Sequence, residues 1–427
     1  MPLSTRWIPV PASIDKILPY SSESWQFLLK NSLVDVNSTY VFRGRGKYRF
    51  HSNEKKALVV FYSILNHCSI TDAAEELNGI ALMIKKTSHQ FKDGRHRRYF
   101  PHQTDINEFL RCFGVKRTFS LVQKMLDRQL KDALQMKIIK PRVTVIFDFN
   151  EQAYYGKRSD KAICGTNRQK GTQKMRHYMR YMVVSGAVHL FAGSCLIQVG
   201  QSKIPIVQES LEHLIQLGFE IDKVLWDREF YRAELIDSVK SIGSQVLMPA
   251  KKYKRVRELM NAYLDNKHGR IFHYRFSTNT SNKKGVSTWT WLVITAKTPD
   301  TLSAIKTAYR RKQISLEEAA ARLYAFMVVR LPHTNLDHWK RNLSSEYKHR
   351  WLIEAGFRDT SKLTPRWRTN LDHEREIGEF FRMLVFNAWQ ITQDFLLKTT
   401  STKRQFRIRT SVDAMRYSLL QNVTTYI

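Results

Sequence analysis

Three carboxylates in this 427-residue chain, Asp148, Asp227 and Glu354, have the type and surroundings for chemistry. Asp148 closes the β-branched run Val143-Thr144-Val145-Ile146-Phe147, and Asp227 closes Lys223-Val224-Leu225-Trp226. Carboxylates at strand ends in α/β folds emerge at the sheet edge, where sites commonly form. Neither suits a core position, because an unpaired charge there is costly. Taken singly, each also reads as a loop cap or a surface charge. Glu354 lies in the stretch Tyr347–Arg358. At about 100° per residue on one helix, Tyr347, Arg350, Glu354 and Arg358 fall within roughly 80° of one another. The apolar Trp351, Leu352 and Ala355 fall mostly on the other side. One stripe thus carries a phenol, two guanidiniums and a carboxylate. The plainer reading of that stripe is a solvated face with Arg350–Glu354 and Glu354–Arg358 pairs.

The elements that would position these acids change texture along the chain. Residues 1–45 read as an irregular arm. From Ser52 to Leu134 the pattern is helical: Ala57, Val60, Phe61, Ile64 and Leu65 recur at three-to-four spacing. Ser69 then offers a hydroxyl cap to a helix over Ala73-Ala74-Glu75-Glu76-Leu77. That pattern resembles the first helix of a helix-turn-helix, with a plain helical bundle as the alternative. Val143–Asp148, Tyr178–Ser185 and Val188–Val199 read as strands, the last two forming a hairpin near Gly186. Helix 206–217 ending at Gly218, strand 223–227, helix 233–242 and strand 245–248 follow. The series predicts an α/β fold, a mixed sheet flanked by helices. Strand-like alternation at 272–276, 289–295 and 325–331 marks residues 250–340 as a β-rich insertion. Helical periodicity returns at 345–359 and 377–397, before a basic tail.

The charge balance points to a polyanionic partner. Lys and Arg total 70 against 38 Asp and Glu, a formal charge of +32. Such an excess raises the potential over the whole surface and attracts nucleic acid. One loop holds Lys157, Arg158, Lys161, Arg168, Lys170, Lys174 and Arg176 against the single acid Asp160. No apolar run is long enough to span a bilayer. Cys68, Cys112, Cys164 and Cys195 form no CxxC pair, which suggests neither a zinc knuckle nor a disulfide framework. The expected compartment is a reducing cytoplasm. Gly44-Arg45-Gly46-Lys47 lacks the spacing of a phosphate-binding loop, so no nucleotide cofactor is expected.

The pattern Tyr-x2-Arg-x3-Glu, matched by Tyr347, Arg350 and Glu354, resembles the signature of DDE transposases of the insertion sequence four type. Asp227-Arg228-Glu229 resembles that family's second-acid motif, and Asp148 followed by Tyr154-Tyr155-Gly156-Lys157 its first. The resemblance spans about residues 50–400, and the β-rich insertion lies where the family places one. One position departs: the family's Lys, seven residues after the Glu, is Ser361 here, with Lys362 and Arg358 as neighbouring cations.

The resemblance implies an RNase H-like catalytic core in two parts, 141–249 and 341–400, with an N-terminal helical DNA-binding domain over 46–140 and a tail over 401–427. It implies a DNA transposase in which Asp148, Asp227 and Glu354 hold two Mg2+ (or Mn2+) ions. Hard oxygen ligands suit those ions. Tyr347, Arg350, Arg358, Lys362, Arg228, Lys157 and Arg158 would contact DNA. Trp226, Trp289 or Trp291 would stack on a base flipped out at a hairpin end. The implied partners are transposon terminal repeats and target DNA, with a homodimer on paired ends. A catalytically silent DNA-binding protein, and a nuclease or resolvase on the same fold, are the alternatives.

Overall fold

The computed structural model describes residues 53–83, 88–90, 96–97, 99–111, 115–157, 161–169, 171–280, 283–298, 301–332, 335–363 and 372–399. The expected arm, the basic tail and Arg158 lie outside them. The chain divides into two compact units: Met1–Ile138 with Arg358–Ile427, and Ile139–Phe357.

The first unit is helical. Helices α1 (Asn53–Asn66) and α2 (Ile70–Met83) are separated by a turn at His67, whose φ is 52°. The turn is closed by the Ser63 hydroxyl donating to the Cys68 carbonyl at 2.8 Å. The expected cap on α2 is a reciprocal one: Ser69 Oγ accepts the Asp72 amide at 3.1 Å, and the Asp72 carboxylate accepts the Ser69 amide at 3.2 Å. Where a helix-turn-helix would place a second helix, two short paired strands follow, β1 (Ser88–Gln90) and β2 (His96–Arg97). Helices α3 (Gln103–Arg111) and α4 (Val115–Gln135) come next.

The second unit is built on a nine-stranded sheet. Its first strands are β3 (Arg142–Ala153), β4 (Cys164–Gln169), β5 (Thr172–Ser185) and β6 (Val188–Ile197). Helix α5 (Lys203–Gln216) leads to β7 (Glu220–Leu225), and helix α6 (Ala233–Ser241) to β8 (Gln245–Pro249). β3 pairs antiparallel with β5 and parallel with β7, β5 pairs antiparallel with β6, and β7 parallel with β8. The order β6-β5-β3-β7-β8 is the RNase H-like arrangement, as expected. β3 and β7 read as apolar runs because the middle of the sheet is covered on both faces, so Val145, Ile146, Phe147, Val224 and Leu225 are all buried. The hairpin turn at Gly186 (φ 64°) and the α5 stop at Gly218 (φ 96°) use left-handed backbone that glycine adopts without strain.

The insertion does not stand apart from this sheet. After α7 (Lys254–Leu264) come β9 (Ile271–Thr280), β10 (Lys283–Ala296), α8 (Leu302–Arg310), α9 (Leu316–Arg322) and β11 (Leu323–Val328). β11 pairs antiparallel with β8, and β10 joins β11 to the edge strand β9. The insertion thus extends the central sheet, with helices between its strands.

The expected helix over 345–359 is two helices, α10 (Leu336–Lys348) and α11 (Trp351–Ser361). Tight three-residue hydrogen bonds, Arg350 N to Tyr347 O at 2.9 Å and Leu352 N to His349 O at 2.9 Å, make the turn between them. The first unit is completed by α12 (Asp372–Thr399). Residues 377–388 of α12 are buried on every side. Its Phe381 meets Phe61 of α1 edge-on at 5.0 Å, and the Leu384 carbonyl accepts the Gln129 amide of α4 at 3.0 Å.

Candidate active site

Asp148 sits inside β3 rather than at its end. The strand runs five residues further, and Asp148 is paired directly with Arg180 of β5. The polar tail Asn150-Glu151-Gln152 reads as loop in isolation, yet it is held by pairing with Tyr178, His177 and Arg176. β7 runs alongside, with Ile146 level with Leu225. Asp148 and Asp227 each lie two residues beyond that pair. Pairing has ended by then: Asp227 caps the short 3-10 turn Arg228–Phe230, accepting the Glu229 amide at 2.7 Å.

The third acid arrives on α11. Gly356 is its contact point with the sheet: a Cβ there would stand 3.1 Å from the Phe191 ring and 3.3 Å from the Met182 methyl. Phe357 stacks on Phe191 at 6.1 Å, and the Arg180 guanidinium lies 5.3 Å over the Phe357 ring. These contacts fix the first turn of α11, which carries Glu354.

Arg350 joins two of the acids. Nη1 donates to Asp148 Oδ2 at 2.7 Å, and Nη2 donates to Glu354 Oε1. The Tyr347 ring lies 5.8 Å from the same guanidinium. Burial pushes the Asp148 carboxyl up to about 7; Arg350 and the Phe149 amide oppose the rise, and the charges of Asp227 and Glu354 add to it. Burial likewise raises Asp227, against the Glu229 amide, Arg350 and Lys203. Burial alone would lower the Arg350 pKa, but Tyr347, Asp148, Glu354 and Asp227 together raise it. Tyr347 is raised, chiefly by burial, and stays a neutral phenol. The three acids therefore share one electrostatic environment around a single arginine.

The donor set is hard oxygen, which in kind suits Mg2+ or Mn2+. Its arrangement does not. Among the described residues no group of three or more His, Cys, Asp or Glu could hold a metal ion. Between Asp148 and Glu354 the guanidinium takes the place a cation would need.

The remaining expected site residues are dispersed. Lys157 and Arg228 are exposed. Arg358 and Lys362 belong to the other unit, where each lies near Asp359, at 3.8 and 3.7 Å. Trp226, expected to face DNA, is instead fully buried and stacked on Phe230 at 5.8 Å and 9°. β7 turns it into the aromatic layer formed by Phe147, Phe149 and Phe230. Trp289 is half exposed at 51% and stacks on His273 at 4.4 Å and 11°, with Trp291 4.9 Å from the same ring.

Sequence reasoning gave no role in the site to three basic residues. Lys203, just inside the start of α5 after its Ser202 cap, lies 3.9 Å over the Phe149 ring and 3.6 Å from Glu229. Arg180, the direct cross-strand partner of Asp148, is fully buried, and burial lowers its pKa to about 10. Only strand register reveals that neighbour. Lys252 donates to the carbonyls of Ala320 and Leu323. Burial first, then the charges of Lys297, Arg228 and Arg257, lower its pKa to about 8.

No helix among the described residues is long and apolar enough to cross a membrane. No family model and no curated protein matches the chain. Among solved structures, the chain is similar to a piggyBac transposase in a synaptic complex with hairpin DNA: TM-score 0.47, 11% identity, covering 96% of this chain and 81% of that one. It is also similar to the Drosophila P element transposase in a strand transfer complex: TM-score 0.25, 12% identity, covering 95% of this chain and 86% of that one.

Proposed function

We propose that the chain is a DNA transposase that cuts the ends of a mobile element and joins them to target DNA. The observation that carries this reading is the convergence of Asp148 and Glu354, 202 and 4 residues from Arg350 in sequence, on that one arginine, with Asp227 close enough to raise Asp148 electrostatically. A formal charge of +32 supports a nucleic-acid partner. In this reading Asp148, Asp227 and Glu354 would hold two divalent ions once the guanidinium had moved, and such ions would supply activation of an attacking oxygen and stabilisation of a leaving one. Arg350 binds the backbone phosphate with its planar fork, and Tyr347 braces it. Arg228 and Lys157 offer further phosphate contacts, and the exposed Trp289 offers a face for an unstacked base. A homodimer would pair two ends, and light scattering on the DNA complex tests that directly.

The guanidinium lodged between two acids favours one second reading, a DNA-binding protein of transposase descent that no longer cuts. The deciding experiment is Mg2+-dependent cleavage of labelled transposon-end duplex by the wild type and Asp227→Asn. Cutting by the wild type alone, with equal binding, supports the proposal. Binding without cutting by either supports the silent reading. Cutting without joining to target points to a nuclease or resolvase on this fold.

A further inference from the structure

Resting on that reading, we propose that Arg350 is a built-in stand-in cation: it holds the acids while DNA is absent and yields them to divalent metal when a DNA phosphate draws it away. The geometry makes the two cations exclusive. Nη1 lies 2.7 Å from Asp148 Oδ2, and Nη2 donates to Glu354 Oε1, so one oxygen of each acid is committed to the guanidinium. Mg2+ needs oxygens at about 2.0–2.1 Å in near-octahedral order. It cannot enter between these two carboxylates beside a guanidinium that already fills the gap. Adding metal while Arg350 stays would also set like charges against each other beside the buried Asp148.

The occupant that competes for Arg350 is a phosphodiester, because the guanidinium fork matches phosphate oxygens as well as it matches carboxylates. The residue's position permits the exchange. Arg350 lies in the turn between α10 and α11, with its backbone held by the bond to Tyr347 O. Its side chain can turn without moving α11 or Glu354, which Gly356 and Phe357 fix on the sheet. The charged and titratable groups that act on it are Tyr347, Asp148, Glu354 and Asp227. Its departure leaves three carboxylates with their mutual repulsion uncompensated, which raises their affinity for metal. DNA and metal then bind cooperatively, each raising the other's affinity by the same factor.

Mn2+ binding to the full-length chain, followed by calorimetry and by electron paramagnetic resonance, tests this without any cleavage assay. The probes are Mn2+ alone and Mn2+ with a mixed-sequence DNA duplex. Without DNA, Arg350→Gln is expected to bind Mn2+ roughly tenfold or more tightly than the wild type, a coupling of ordinary size. The duplex should bring the wild type a comparable gain and bring the variant almost none. Equal Mn2+ affinity in wild type and variant without DNA overturns the inference while leaving a metal-dependent enzyme standing. Absence of Mn2+ binding in every state overturns both. Should Arg350→Gln not fold, the wild type decides alone: a Mn2+ affinity unchanged by duplex sinks the exchange.

Discussion

Asp148 and Asp227 each lie two residues beyond the Ile146–Leu225 pair of the parallel strands β3 and β7, and the Asp227 charge helps raise the Asp148 carboxyl to about 7. Asp227 also caps a turn, its Oδ1 accepting the Glu229 amide at 2.7 Å. Its two tasks separate by substitution. Asp227→Asn keeps a capping oxygen and removes the charge, so cleavage is lost with the melting temperature nearly unchanged. Asp227→Ala loses the cap as well and costs about 1 kcal/mol of stability. Thermal unfolding of both variants beside a cleavage gel checks the split.

Gly356 sets how near Glu354 comes to the sheet. A valine there would drive its methyls into Phe191 and Met182, which a Cβ alone already meets at 3.1 and 3.3 Å. Gly356→Val should cost about 1–3 kcal/mol, as overpacking does. It should also weaken Mn2+ binding through the displaced Glu354. Denaturant unfolding with a parallel Mn2+ titration would report both, and an unchanged affinity would remove Gly356 from the site's support.

Lys252 gives a pH dependence of definite sign. Its pKa is lowered to about 8, chiefly by burial and then by Lys297, Arg228 and Arg257. The unfolded chain therefore binds more protons than the folded one between that value and the ordinary lysine pKa of about 10.4. The cost of charging Lys252 is fully present below pH 8 and fades as the pH rises towards that ordinary value. Lys297→Met should move the Lys252 pKa upwards and flatten this part of the stability profile. Lysine-selective NMR titration reads the shift, and an unmoved pKa would remove Lys297 from its causes.

The two tryptophans should behave oppositely. Trp226 is fully buried against Phe230, so Trp226→Ala should cost about 3–5 kcal/mol. Trp289 is 51% exposed, and Trp289→Ala should leave the melting temperature within a few degrees of the wild type. On DNA carrying an unpaired base, Trp289→Ala should lose about 1–3 kcal/mol of binding, with no loss on intact duplex. Fluorescence anisotropy on the two DNAs compares them.

The pieces legible in the sequence are those whose signal is local. The runs at 143–147 and 223–226 announced central strands because burial on both faces leaves little room for polar side chains. Gly186 and Gly218 announced their turns because each needs positive φ. What depends on distant pairing left no local trace. Phe149–Ala153 looks like loop until β5 lies beside it. The insertion strands were visible by alternation, but their membership of the main sheet rests on β8 meeting β11, almost 80 residues later. The break at His349–Arg350 carries no Gly or Pro, so helical periodicity runs through it unbroken. The break moves Arg350 off the regular helix and onto Asp148, which the stripe reading could not show.

The route of the chain through its sheet also sets when the acids can meet. Asp148 lies on β3 and Asp227 just beyond β7, strands that pair directly and are close in sequence. The chain next travels outward through β9 and β10 and returns along β11 before it reaches Glu354. Contacts that close so long a loop form late, after their entropy cost has been met by the strands in between. A nascent or truncated chain ending before α10 would carry the sheet and two acids, but neither Arg350 nor Glu354. The full set of three acids and their arginine is therefore assembled only when α10 and α11 join the sheet.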